Sequence, residues 1–265
     1  FCPPATGEWA YETYASIPEM AGKTGRVTAT ANTRAWQRGP IVIPEDQPQR
    51  FAYADGTPYF LLAFELDWLF ALDAENPDGI PLTRSLIADV RANGFNQIVM
   101  NVFAYDAGWG EREKAKPEHR FDKPSVFPFG GNNKNPDYST LDVEFFKRFD
   151  RVIEHLNQQE IVAHVMIYVW NKMVNWPDPE SAADNRYFDY VVKRYQAYPN
   201  LIWDISKEAL AYGRDDMGYI TRRIERLRRL DGHQRLLSVH DYNYCRAHAD
   251  KVDFISIQEW EPYLY

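Results

Sequence analysis

Two hydrophobic periods divide the chain. Up to about residue 48, Trp9, Tyr11 and Thr13 alternate with Ala10, Glu12 and Tyr14, and after a turn at 22–25, Val27, Ala29 and Ala31 alternate with Thr28 and Thr30. Ile41-Val42-Ile43 comes after Gly39-Pro40 and stops at Pro44. Strand side chains point to opposite faces in turn, so this pattern with its Gly and Pro punctuation predicts short antiparallel strands. Three such strands bury too little to stand alone, and residues 1–48 are expected to be the C-terminal part of a β-sandwich.

From Phe51 onward apolar runs of strand length alternate with helical periods. Strands are predicted over 58–64 (after an Asp55-Gly56 turn), 97–103, 161–169, 201–206, 236–239 and 254–257. Helices are predicted near 81–93, 142–157, 184–197 and 215–230, with a short helical piece before the last strand. The second of these helices places Phe145, Phe146, Phe149, Val152, Ile153 and Leu156 on one face. The stretch 105–140, rich in Gly, Pro and Asn, reads as a long polar loop.

Six βα-type strands in sequence fit a doubly wound sheet or a (β/α)8 barrel. No Gly-rich phosphate loop comes after the first strand, and Gly130-Gly131 lacks the Lys-Ser/Thr of a P-loop. The expectation is an α/β fold: a TIM barrel over 49–265 with about six of its eight strands, truncated before strand 7 and preceded by the partial sandwich. A six-strand arc exposes a parallel edge and an apolar interior, so the protein is expected to continue past Tyr265 or to have that edge covered.

In such a barrel, polar residues just past the strand ends face the active site. Those positions hold Glu65, Asp67 and Trp68; Asn101, Tyr105 and Trp109; Trp170, Asn171 and Lys172; Lys207 and Glu208; His240 and Asp241; and Gln258, Glu259 and Trp260. Carboxylates move protons, amides and acids hold hydroxyls, and Trp stacks on sugar faces, so the rim fits a carbohydrate pocket. Each has a plainer role as well. Trp68 and Trp170 also fit barrel–helix packing, Asp67 a helix cap, and Lys207 a counter-ion that neutralises Glu208 or holds its pKa down. Glu208 also fits a surface salt bridge and Glu259 a loop charge, with Gln258 beside it a hydroxyl binder. His164, inside an apolar strand, reads as a satisfied core histidine, whereas His240 at a strand end reads as a site residue.

Composition narrows the partners. With Lys+Arg 30 against Asp+Glu 38, the net charge of -8 disfavours a phosphate backbone, so no nucleic acid is expected. The basic run from Arg222 to Arg229 lies among Ile220, Ile224 and Leu227 and reads as the wet face of an amphipathic helix. Aromatic residues make up 15%, a supply that suits a surface stacking on sugar rings, although on composition alone a large aromatic core is the simpler reading. Cys2 and Cys245 are able to pair but lack metal-ligand spacing, and 6 scattered His without His-x-His disfavour a metal-dependent hydrolase. Neither a metal nor an organic cofactor is expected, and no apolar run reaches membrane-span length. The opening Phe1-Cys2-Pro3-Pro4 shows no initiator Met or signal pattern, so the start is read as mature, trimmed or internal.

These residues carry a family resemblance. Phe51-Ala-Tyr-Ala-Asp-Gly-Thr-Pro-Tyr-Phe-Leu-Leu, followed by Glu65-Leu-Asp-Trp-Leu-Phe, resembles the opening barrel strand of the apiosidase-like, DUF4038-type glycoside hydrolases. Asn135-Pro-Asp-Tyr-Ser-Thr-Leu-Asp and Tyr198-Pro-Asn-Leu-Ile-Trp-Asp-Ile-Ser-Lys-Glu resemble later segments of that barrel. Upstream, Gly7-Glu-Trp-Ala-Tyr and Arg38-Gly-Pro-Ile-Val are similar to the end of the DUF5060-type β-sandwich that often precedes it.

The resemblance implies a retaining glycosidase acting on a plant, algal or microbial polysaccharide or oligosaccharide outside the cytoplasm, extracellular or periplasmic. It puts Glu208 at the general acid/base, with Lys207 where the family usually carries Asn, and it implies a nucleophilic carboxylate at the end of the seventh strand, past Tyr265, with Glu259 the fallback within the chain. Asp67, Trp68, Asn101, Trp109, Trp170, Lys207, His240, Gln258, Glu259 and Trp260 are the expected substrate contacts. The alternative is a non-catalytic carbohydrate-binding protein on the same fold.

Overall fold

The computed structural model describes residues 2–3, 5–76, 79–106, 123–212 and 216–258. The chain divides into two units, Phe1–Arg38 and Gly39–Tyr265. In the first, β1 (Gly7–Glu12) and β2 (Thr24–Ala29) form an antiparallel hairpin in register from Gly7 opposite Ala29 to Glu12 opposite Thr24. Gly25 lies close under the Tyr11 ring, which would have to swing aside to admit a Cβ there.

The second unit opens with an antiparallel sheet of β3 (Ile41–Val42), β4 (Phe51–Tyr53) and β5 (Pro58–Tyr59). The turn between β4 and β5 is closed by the Asp55 carboxylate, which accepts from Thr57 N at 2.9 Å, while Gly56 takes φ +87°. Because β3 pairs with β4, Ile41–Val42 belongs to the second unit, and the units part at Arg38, ahead of residue 48.

The remaining elements are β6 (Ala63–Glu65), α1 (Pro81–Ala92), β7 (Gln97–Asn101), a hairpin of β8 (Phe129–Gly131) and β9 (Pro136–Leu141), α2 (Val143–Gln158), β10 (Val162–Val169), α3 (Ala182–Tyr195), β11 (Leu201–Lys207), α4 (Ala209–Tyr212), α5 (Met217–Leu230), β12 (Leu237–His240) and α6 (Tyr242–Ala247). Strands β6, β7, β10, β11 and β12 form one parallel sheet in that order. Each strand lies beside its predecessor. A doubly wound sheet reverses its order at a switch point; an order that advances in one direction is that of a barrel wall.

The sheet differs from the sequence expectation in two places. The apolar run 58–64 is two strands, because the Asn96 side chain accepts from Leu62 N at 2.9 Å and donates to Phe60 O at 2.6 Å, taking two backbone groups that a continuous ladder would use. The expected sixth strand, 254–257, forms no ladder among the described residues. There Asp253 N donates to Leu237 O at 2.9 Å, but the Asp253 carboxylate accepts from Leu237 N at 2.7 Å and Ser238 Oγ donates to Phe254 O at 2.8 Å, so side chains replace the rest of the ladder.

The helices form as their patterns require. Asp142 caps α2 by accepting from Glu144 N and Phe145 N, and the predicted apolar face is buried against β10, itself buried at every position. The basic run of α5 is not simply its wet face. Arg223 is buried against Asp184 of α3 at 3.5 Å, with its guanidinium over the Phe188 and Tyr219 rings, and Arg226 pairs with Asp189. This helix docks through its arginines because α3 presents carboxylates. Among the described residues no helix is long and apolar enough to cross a membrane, and Cys2 and Cys245 are free thiols.

Candidate active site

The C-terminal ends of the parallel strands open into a cavity of about 780 Å³. Its lining includes Glu65, Asp67 and Trp68 after β6, Asn171 and Lys172 after β10, Lys207 and Glu208 at the end of β11, His240 at the end of β12, and Gln258. Short helices supply further lining from Tyr212 of α4 and from Tyr242 and Asn243 of α6.

A charge cluster forms one wall. Lys207 Nζ is paired with Glu65 and lies 3.4 Å from both carboxylate oxygens of Asp67. Asp67 is also 3.3 Å from Lys172 Nζ and accepts from Asn101 Nδ2 at 2.9 Å. Both lysines are nearly inaccessible, at 2% for Lys172 and 4% for Lys207. Burial works against a charged amine at Lys207, but the Asp67 and Glu65 carboxylates outweigh it and raise its pKa above the usual lysine value. Lys172 lies 4.5 Å above the Trp68 ring, which fixes the indole at the cavity edge.

The loop carrying Lys172 is held from both sides. Tyr105 N and Asp106 N donate to Lys172 O at 3.1 and 2.7 Å, while Asn133, in the turn of the β8–β9 hairpin, donates to Met173 O at 3.0 Å and accepts from Asn175 N at 2.9 Å. This hairpin, read from the sequence only as polar loop, buttresses the site.

Glu208 leaves β11 in a left-handed conformation, φ +56°, with its amide donating to His240 O at 3.1 Å and its carbonyl accepting from Tyr212 N at 3.2 Å. A non-glycine residue rarely adopts that conformation, and such positions concentrate at functional sites. Lys207 forms no ion pair with Glu208 among the described residues; it faces Glu65 and Asp67 instead, so the expected neutralisation is replaced by a charge cluster around Asp67. Two buried polar atoms on the lining, Asn171 Oδ1 and His240 Nε2, make no hydrogen bond among the described residues. A ligand rich in hydroxyls would satisfy both.

Asp67, Trp68, Lys207, Glu208, His240 and Gln258 therefore come together in one cavity. Asp67 caps no helix; its oxygens go to Lys172, Lys207 and Asn101. Asn101 is buried behind Asp67 and holds it, rather than lining the cavity. Trp170 stacks on Tyr168 at 6.0 Å and packs near Trp176, so it belongs to the wall between strand and helix. Trp109, Glu259 and Trp260 lie outside the described residues. Sequence reasoning missed Tyr212, Tyr242 and Asn243, whose signal is an exposed aromatic or amide within a few residues of a strand end. Among the described residues no group of three or more His, Cys, Asp or Glu is arranged to hold a metal ion.

The comparisons with known proteins agree with this architecture. A putative glycoside hydrolase of Bacteroides vulgatus ATCC 8482 superposes with TM-score 0.67 at 21% identity over 90% of this chain and 45% of that one. A glycoside hydrolase family 5 mannosidase of Rhizomucor miehei gives 0.59 at 13% identity over 83% of this chain and 61% of that one. At these identities the likeness is one of fold, and the chain spans about half the length of the first protein and three-fifths of the second. No match was found among curated proteins. The family model for the apiosidase-like catalytic domain matches residues 45–261, covering the parallel sheet and the whole described cavity, and the chain belongs to that family.

Proposed function

We propose that this chain is the catalytic barrel of a retaining glycosidase that cleaves a plant, algal or microbial polysaccharide or oligosaccharide, with Glu208 as acid/base. The carrying observation is the position of Glu208, at the end of a barrel strand inside a cavity that also presents Trp68, an amide and unsatisfied polar atoms. Glu208 protonates the oxygen of the departing sugar, then takes a proton from the water that attacks the anomeric carbon in the second step.

Glu65 and Asp67 are each tied to Lys207, which suits them to orienting hydroxyls rather than to attack. The attacking carboxylate is assigned outside the described residues, to Glu259 or to chain beyond Tyr265, about 5–5.5 Å from Glu208 in the assembled site. A polymeric substrate of this kind would support a location outside the cytoplasm, extracellular or periplasmic.

Glu208→Gln keeps the shape of the side chain and removes its proton transfer. Release of reducing sugar from a panel of plant, algal and microbial polysaccharides is expected to fall by about 10²–10⁴-fold, with binding of the hydrolysed polysaccharide retained. Unchanged turnover would remove Glu208 from this role. Binding without turnover by the complete protein, including any chain beyond Tyr265, would favour a non-catalytic carbohydrate-binding protein.

A further inference from the structure

Beneath the cavity a chain of buried polar side chains crosses the sheet. Tyr59 OH donates to Gln97 Oε1 at 3.2 Å, and Gln97 Nε2 lies 3.3 Å from His164 Nδ1. His164 Nε2 lies 3.2 Å from Asp204 Oδ2, and Asp204 Oδ1 accepts from two backbone amides, Ser206 N at 3.0 Å and His240 N at 2.9 Å. An amide nitrogen only donates, so Gln97 sets Nδ1 of His164 as acceptor and leaves Nε2–H for Asp204.

The end of this chain coincides with an irregularity in the sheet. Asp204 pairs with Ser238 and Lys207 with His240, so β11 spends three steps where β12 spends two. An extra residue in one strand leaves ladder amides without their regular acceptors and bends the strand. Here the Asp204 carboxylate supplies the acceptor on both sides of the irregularity. Immediately beyond it stand Lys207, Glu208 in its left-handed conformation, and His240, whose carbonyl takes the Glu208 amide.

We infer that Asp204, clamped by His164, is a positioning residue that fixes the bulge from which Glu208 and His240 enter the cavity. The inference rests on the glycosidase reading only for its kinetic consequence; the backbone consequence stands apart from it. Without Asp204 the two amides lose their acceptor and the exit of β11 gains freedom, while substrate contacts elsewhere on the rim are untouched. The loss therefore falls on kcat more than on KM.

Residue-resolved amide hydrogen exchange on the whole chain tests this, with turnover measured in parallel. In Asp204→Ala the amides of Ser206, Glu208 and His240 are expected to exchange at least about tenfold faster, the size of one lost hydrogen bond, with Val165 and Met166 unchanged. Turnover is expected to fall mainly through kcat, with a smaller rise in KM because His240 loses the same anchor. Asp204→Asn keeps an acceptor oxygen and restores part of both effects. His164→Gln frees the clamp without touching the bulge and gives a smaller acceleration at the same amides. Unchanged exchange at Ser206 and His240, or equal acceleration across the sheet, overturns the inference. Local acceleration together with full turnover by Glu208→Gln supports the bulge device while removing the acid/base reading.

Discussion

At Lys207 burial and attraction oppose each other in one side chain. The amine is buried, which disfavours its charge, yet Asp67 and Glu65 hold it charged and raise its pKa. Removing it leaves Asp67 with Lys172 and Asn101 as partners. Lys207→Met is expected to destabilise the fold by about 3 kcal/mol, at the low end for breaking a buried pair, as read by urea unfolding. The folded-state pKa lies above the unfolded one, so the amine's contribution is complete below the unfolded value and is lost as pH rises through the folded value. The gap between variant and parent is therefore expected to stay constant from about pH 6 to 9 and to shrink only above about 10.4. A gap that already narrows near neutrality would show that Lys207 is not held by its carboxylates.

The docking of α5 on α3 shows how one buried acid organises two helices. Asp184 accepts from Tyr168 OH at 2.5 Å, Tyr219 OH at 3.2 Å and Glu180 N at 2.7 Å, and it faces the buried Arg223. Burial, with the nearby Tyr219 and Asp184, pushes the Tyr168 hydroxyl well above its usual pKa, so it remains a donor. Asp184→Ala strands Arg223 without its counter-ion and is expected to cost about 3–5 kcal/mol, measured as a lower urea midpoint. A loss below about 1 kcal/mol, the range of an exposed pair, would mean that water reaches Arg223 once the acid is gone. The arginines of this helix are visible in the sequence, but the side that receives them is formed by α3, distant in the chain.

Across the whole molecule, strand pairing separates the two units. Strands β1 and β2 pair only with each other among the described residues, whereas β3 enters the sheet that precedes the barrel wall. A protein starting at Gly39 is expected to melt within a few degrees of the parent, since it keeps every strand pair of the second unit. A fall beyond about 8 °C, roughly 2–4 kcal/mol in a domain of this size, would show that residues 1–38 support the wall.

Much of the wall is readable in the chain because its signals are local and repeated. Runs such as Val162–Val169 are too apolar to be anything but covered strands, and Asp142 before an amphipathic period marks the start of α2. The strand ends, with Glu208, His240, Asp67 and Trp68 just beyond them, come from the same periodicity. The features that escape it depend on side chains that replace backbone partners. Asn96 breaks the first apolar run, Asp253 takes the bond of a would-be sixth strand, and the turn around Asn132 makes a hairpin within a polar stretch. The alternation of strand and helix, set by periods of hydrophobic burial, was thus determined by sequence alone. Which carboxylate faces Lys207, and how Glu208 leaves its strand, was decided by tertiary structure, because those bonds join residues far apart in the chain whose geometry exists only once the sheet has formed.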